Sequence, residues 1–357
     1  MTLRAPFPWF GGKSRAAHLV WAAFGDVPNY VEPFAGSLAV LLGRPTPPRI
    51  ETVNDLDCYL SNFWRAVAGA PEEVAHHADW PVNEADLHAR HRWLVGRAEF
   101  RERMKHEPDF FDAKIAGWWV WGICQWIGSG WCSAPEWTGR ANAGRRARGV
   151  LAMEGKRDRD LSGASEWEKR PQLGKGGRGL FGVSEQLPDL GGNGGAAGKG
   201  VTASAKDQTA IVAWMLALQE RLRRVRVCCG DWQRVLGRSP TECIGLTGVF
   251  LDPPYGAGAD RDPSLYTHDD LDVSTAVREW ALEHGDNPRL RIALCGYEGE
   301  HEMPARWQCV PWKANGGYAA SAGNHDNRHR ERIWFSPACL PVEAAQGTLF
   351  STGSSTR

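Results

Sequence analysis

Thr247-Gly248-Val249-Phe250-Leu251-Asp252-Pro253-Pro254-Tyr255 is the stretch on which the reading of this chain turns. Thr247 to Leu251 reads as a strand running into Asp252. The two prolines fix a non-helical backbone, expose carbonyls that no ladder can use, and hold an acid and an aromatic ring in one rigid turn. Outward from it, Val225 to Cys229 and Arg291 to Cys295 read as further strands. Ile211, Val212, Met215, Leu218, Leu222 and Val225 mark an amphipathic helix from about Lys206 to Arg224, and Val273 to Glu283 a second. Near the start, Tyr30 to Phe34 reads as a short strand into a turn. Glu51 to Asp55 reads as a second strand ending in acid, and Leu56 to Val67 as a helix. Strand and helix alternate on both sides of a central segment, which predicts one α/β sheet interrupted by a second lobe.

Composition bounds the function classes. The 357 residues carry 42 Lys+Arg against 42 Asp+Glu and are 42% hydrophobic, enough for a core, so wholesale disorder and collagen-like repetition are excluded. Ile115 to Ile127 is the longest mostly apolar run and falls short of the roughly 20 residues of a membrane span. No apolar stretch follows a basic start, so a secretory signal is not expected and the expected compartment is the cytoplasm. Nine cysteines show no Cys-x-x-Cys pair, which predicts reduced thiols and no metal. His325 and His329 read as solvated or phosphate-facing.

The central segment is distinctive. Residues 139–200 hold 16 of the 41 glycines, with 12 Lys+Arg against 7 Asp+Glu and no sustained periodicity. A basic, glycine-rich insert of loops and short elements is expected there. Just before it, Trp118, Trp119, Trp121, Trp126, Trp131 and Trp137 crowd together, and Ile115, Trp118, Trp119 and Gly122 predict a buried helical stripe.

In open α/β sheets, ligands gather beyond the carboxyl ends of the strands, which singles out three places. In Glu32-Pro33-Phe34-Ala35-Gly36-Ser37, Gly36 permits close backbone approach to a ligand. Asn54-Asp55 ends the next strand; its carboxylate suits ribose hydroxyls, or caps the helix from Leu56, or both. At Asp252-Pro253-Pro254-Tyr255, the Asp252 carboxylate and Pro253 carbonyl are placed to accept the two hydrogens of an exocyclic amine while Tyr255 stacks on its ring.

Pro8-Trp9-Phe10-Gly11-Gly12-Lys13, Val31 to Ser37, Asn54-Asp55 and Asp252 to Tyr255, in that order, resemble the Dam-like adenine-N6 DNA methyltransferases. The resemblance implies a Rossmann-like, S-adenosylmethionine-dependent methyltransferase sheet with an inserted, mainly helical and loop target-recognition lobe. It implies a discontinuous catalytic domain of residues 1–69 and 205–340, an inserted lobe of 70–204, and a tail of 341–357. It assigns Trp9, Gly12, Lys13, Glu32, Pro33, Phe34, Gly36, Asp55 and Asp252 to the S-adenosylmethionine site, with Asp231 and Trp232 by a looser match. Lys13 is given the cofactor's carboxylate end. Asp252, Pro253, Pro254 and Tyr255 become the catalytic turn acting on a flipped-out adenine in double-stranded DNA, the kind of enzyme found in restriction–modification. Arg140, Arg145, Arg146, Arg148, Lys169, Arg170, Lys175 and Arg178 become phosphate contacts. Gly130-Trp131-Cys132-Ser133-Ala134-Pro135 keeps only the glycine and proline of the stretch that GATC-reading relatives carry, so the resemblance assigns no target sequence. No obligatory protein partner and no membrane are implied. Methylation of RNA or of a cytosine N4 amine by the same cradle, and a DNA-binding module without catalysis, are the alternatives.

Overall fold

The structure, a computed structural model, describes residues 3–9, 12–126, 131–132, 205–255, 271–312 and 330–342. Seven strands form one sheet: β1 (Asn29–Glu32), β2 (Ile50–Asp55), β3 (Val225–Cys229), β4 (Thr247–Leu251), β5 (Leu290–Tyr297), β6 (Gln308–Pro311) and β7 (Glu331–Phe335). Their order is β3-β2-β1-β4-β5-β7-β6. β1 pairs in parallel with β2 and β4, β2 with β3, and β4 with β5, while β7 runs antiparallel to both β5 and β6. From β1 the chain builds outward through β2 and β3, then returns to β4 on the other side of β1. The strand order therefore reverses between β1 and β4, the place where α/β sheets open a crevice for ligands.

Both faces of the sheet are covered, which explains why β1 and β4 are buried at every residue. On one face Tyr30 and Phe250 join Phe24 of α1 (Ala17–Phe24), together with α2 (Ala39–Leu42), α3 (Cys58–Gly69) and α8 (Ala205–Leu222). On the other, Val31, Val249, Leu251, Ile292 and Leu294 pack with Val277 and Ala281 of α9 (Leu271–His284) and with the 3-10 turn Trp232–Val235. Gly248 is required on the first face, because a Cβ there would come within 2.7 Å of the Phe24 ring.

Two local expectations are corrected. The helix expected from Leu56 begins at Cys58, because Asp57 is its N-cap and accepts from Tyr59 N at 2.8 Å and Leu60 N at 3.3 Å. Asp55 is therefore not the cap of that helix. The tryptophan stripe also differs. In α7 (Ala113–Gln125) Trp119 and Trp121 are fully buried and Trp118 only partly, because the helix is packed by α3, α4 (Pro71–Ala78) and α5 (Glu84–Val95) on several sides. Trp131 inserts against Gly122, where a side chain would overlap its ring, and donates its indole N–H to Trp119 O at 3.0 Å. The described part of the 70–204 segment, which includes α6 (Ala98–His106), shares one hydrophobic core with the sheet. Trp137, His325, His329 and residues 139–200 lie outside the described residues.

A buried ion cluster ties α8 to β2. Glu51 is 1% exposed and accepts from Arg221 Nη1 at 2.6 Å, Arg221 Nη2 at 2.9 Å and Arg44 Nη1 at 3.2 Å; Arg221 also caps Leu41 O at 2.8 Å. Removing one member of such a cluster leaves the other charges desolvated, which costs about 3–5 kcal/mol. Glu51→Gln is expected to lower unfolding free energy by roughly that amount, measured by urea denaturation; an unchanged midpoint would show that the cluster contributes nothing net.

Candidate active site

The carboxyl ends of β1, β2 and β4 lie side by side, and each ends in one of the sequences singled out above. After β1 the chain turns through Pro33 to Gly36. Ala35 N donates to Asn54 O at 2.8 Å, and Asn54 Nδ2 donates to Pro33 O at 3.1 Å and Gly230 O at 2.9 Å, which stitches the ends of β1, β2 and β3 together. Gly36 sits at φ +46°, and a Cβ there would approach Trp9 Nε1 to 2.7 Å. Its N–H donates to Asp55 Oδ2 at 3.0 Å, and its carbonyl accepts from Trp64 Nε1 at 3.0 Å. Gly36 is thus needed both for its backbone conformation and for the indole lying against it. By contrast, among the described residues a Cβ on Gly12 would meet only Trp9 O at an ordinary 3.5 Å.

Asp55 also accepts from Asp57 N at 2.9 Å. Burial pushes its carboxyl up to about 7, helped by the charge of Asp57 and resisted by the amides of Asp57, Gly36 and Leu56. Phe34, after β1, and Trp232, after β3, stack with ring centroids 6.2 Å apart and form an apolar wall. Asp231, exposed, accepts from Gln233 N at 2.9 Å and caps the 3-10 turn that places Trp232. A glycine bend, a partly accessible carboxylate and an aromatic wall fit the nucleoside part of S-adenosylmethionine. Among the described residues no group of His, Cys, Asp and Glu is arranged to hold a metal ion.

On the α1 face of the same edge, Lys13 Nζ lies 2.9 Å from Asp252 Oδ1, with Lys13 only 4% and Asp252 21% exposed. The sequence assigned Lys13 to the cofactor; here its ammonium engages the acid of the rigid turn. It also lies 5.1 Å from the centre of the Tyr255 ring and 5.7 Å from that of Trp312. Burial raises the Asp252 carboxyl above the ordinary range, and the charge and hydrogen bond of Lys13, then the Tyr255 hydroxyl, pull it back. Glu32, 2% exposed, is turned toward Tyr30, whose hydroxyl donates to it at 3.0 Å; burial holds it well above the carboxylate range. Pro253 is buried and Pro254 partly so.

Tyr255 is itself buried, with its hydroxyl donating to Glu331 Oε2 at 2.6 Å and its ring edge-on to Tyr297 at 4.5 Å. Sequence reasoning missed Glu331, Tyr297 and Trp312. Glu331 opens an unremarkable strand, and only its register opposite Tyr297 brings it here. Of the expected site residues, Trp9, Gly36 and Asp55 come together on one side of the β1–β4 junction, and Lys13, Asp252 and Tyr255 on the other. Arg140, Arg145, Arg146, Arg148, Lys169, Arg170, Lys175 and Arg178 lie outside the described residues.

The mostly parallel sheet of this order, with β7 antiparallel beside β5, is consistent with a Rossmann-like methyltransferase fold. Residues 9–107 match the family described as D12 class N6 adenine-specific DNA methyltransferase, a family that uses S-adenosylmethionine as methyl donor. The match covers the Trp9–Lys13 segment, Gly36 and Asp55; the Asp252 turn lies beyond it. No curated protein matches the chain.

Two outcomes follow from the glycine bend and the carboxylate beside it. Gly36→Val is expected to displace Trp9 and weaken S-adenosylmethionine binding in calorimetry; affinity equal to wild type would remove the steric argument. Asp55 holds its proton to higher pH when folded than in the unfolded chain, where it titrates near ~3.9. Between roughly pH 4 and 7 the folded state binds more protons, so this group's contribution to stability falls as pH rises. Urea midpoints of wild type relative to Asp55→Asn are expected to fall across that window, and a difference flat in pH would contradict the raised carboxyl.

Proposed function

We propose that the chain methylates an adenine flipped out of double-stranded DNA, using the Asp252–Tyr255 turn as the acceptor of the adenine amine. The observation that carries this reading is the adjacency of β1 and β4, which sets the Gly36 bend and the Asp252 turn on one edge of the sheet. The reading assigns the catalytic part to residues 1–69 and 205–340, with 70–204 as the target-recognition segment.

S-adenosylmethionine supplies an electrophilic sulfonium methyl when bound. Asp55 would accept from its ribose hydroxyls, Gly36 would let it approach the backbone, and Trp9, Gly12, Glu32, Pro33, Phe34, Asp231 and Trp232 would frame its pocket. The adenine amine is a weak nucleophile because its lone pair is delocalised into the ring. The Asp252 carboxylate and the Pro253 carbonyl each accept one of its hydrogens. These bonds favour a pyramidal nitrogen and would stabilise the positive charge that develops on it as the nitrogen–methyl bond forms and the sulfur–methyl bond breaks, leaving a thioether, with the surplus amine proton then passing to the Asp252 carboxylate. Pro253 and Pro254 hold these acceptors stiffly, and placement of this kind is worth several kcal/mol. Lys13, 2.9 Å away, favours the charged form of Asp252 against the effect of burial, and a charged carboxylate accepts hydrogen bonds without first removing a proton. Extrusion of the base costs a few kcal/mol, offset in part by its contact with Tyr255. The basic residues from Arg140 to Arg178 neutralise phosphates, with salt-sensitive affinity as the signature. A cytoplasmic location accords with nine free cysteines, and among the described residues no helix is long and apolar enough to cross a membrane.

The test is transfer of a labelled methyl group to duplex DNA, with RNA and cytosine-only duplexes alongside. Label on adenine N6 of duplex DNA is expected; label only in RNA or on cytosine would reject the reading. Asp252→Ala is expected to retain cofactor binding and lose turnover by a factor on the order of 100 or more. Near-normal turnover would end the role given to its carboxylate.

A further inference from the structure

Glu331 is 4% exposed and belongs to the one antiparallel strand of the sheet. Because β7 runs against β5, its first residue lies at the carboxyl ends of the parallel strands, directly opposite Tyr297. Both members of this cross-strand pair touch one side chain. Glu331 Oε2 receives the Tyr255 hydroxyl at 2.6 Å, and Tyr297 meets the Tyr255 ring at 4.5 Å with an interplanar angle of 67°. Lys13 approaches the same ring at 5.1 Å.

We propose that Glu331 is a positioning residue for methyl transfer, fixing the Tyr255 ring that holds the target adenine. This rests on the reading of Asp252–Tyr255 as the catalytic turn. A tyrosine ring held only by its Cα–Cβ bond swings about χ1, whereas a second anchor at its far end fixes its plane. A carboxylate is a strong anchor for a hydroxyl, since charge-assisted O–H···O bonds are short and about twice as strong as neutral ones. The same bond commits the hydroxyl proton of Tyr255 to Glu331. Tyr255 keeps its proton throughout, because burial first and the nearby acids second push its hydroxyl well above the ordinary phenol range.

The experiment is a double-mutant cycle of Glu331→Gln, Glu331→Ala and Tyr255→Phe, read by steady-state methylation of duplex DNA. S-adenosylmethionine affinity and the fluorescence of a 2-aminopurine at the target position are measured in parallel. Glu331→Ala and Tyr255→Phe are each expected to lower kcat, by up to the order of 100-fold for a misplaced reacting group. KM for S-adenosylmethionine should stay unchanged and the 2-aminopurine signal should be altered. Glu331→Gln, which still accepts the hydroxyl, should recover most of the loss. In the Y255F background neither Glu331 substitution should lower kcat further, since both act through one bond. If Glu331→Ala does not fold, the Glu331→Gln and Tyr255→Phe pair decides alone. An effect of Glu331→Gln that is undiminished in the Y255F background overturns the proposal, as does a loss carried entirely by KM for S-adenosylmethionine. Asp252→Ala separates the two levels. Turnover by that variant removes the reading of the turn itself, whereas an inactive Asp252→Ala with independent Glu331 and Tyr255 effects removes only the role of Glu331.

Discussion

The architecture of the site hangs on the pair between Lys13 and Asp252. A partly buried carboxylate carries a desolvation cost, which a buried ammonium partner at 2.9 Å offsets only if geometry is good. The partner comes from the N-terminal segment before α1, and the acid from the turn after β4. Their contact pins the start of the chain over the centre of the sheet, where the same ammonium faces the rings of Tyr255 and Trp312. Trp9, a turn earlier, is thereby carried onto Gly36. One ionic contact consequently ties the N-terminal segment to the turn after β4.

Much of this arrangement was legible in the chain. All five strands read from the sequence exist, with ends shifted by a residue or a few, because apolar runs closed by acid, glycine or proline announce both a strand and its carboxyl end. Asp252-Pro253-Pro254-Tyr255 and Gly36 could be found since rigid or glycine turns are written in residue type. What the residues did not disclose depends on register or on competing donors. Asp55 and Asp57 both look like caps, and only the amides of Gly36 and Tyr59 decide which acid does what. Glu331 carries no local mark, and its place follows from a strand pairing that no motif encodes. Lys13 has a reach of several ångströms, so its place beside two glycines left open which anion it meets.

The helical segment after α3 brings a second constraint. Trp119, Trp121 and Trp131 lock α7 into the core that also receives α8 and the sheet. Arg65, inside α3, donates to Val227 O of β3 and to the carbonyls of Met104, Glu107 and Phe110, binding the end of α6 to the sheet edge. These helices are therefore a fixed buttress of the crevice, and large hinge movements between them and the sheet would expose several indoles at once.

The antiparallel course of β7 has a consequence for biosynthesis. Glu331, the anchor of Tyr255, is made 318 residues after Lys13. A growing chain can assemble β1, β2 and the bend at Gly36 early, yet the tyrosine hydroxyl stays without its buried acceptor until translation passes residue 331. An unpaired hydroxyl in that setting costs about 1–3 kcal/mol. Premature termination between β5 and residue 331 thus yields a molecule that has the Gly36 bend and the parallel strands but lacks the acceptor of the Tyr255 hydroxyl.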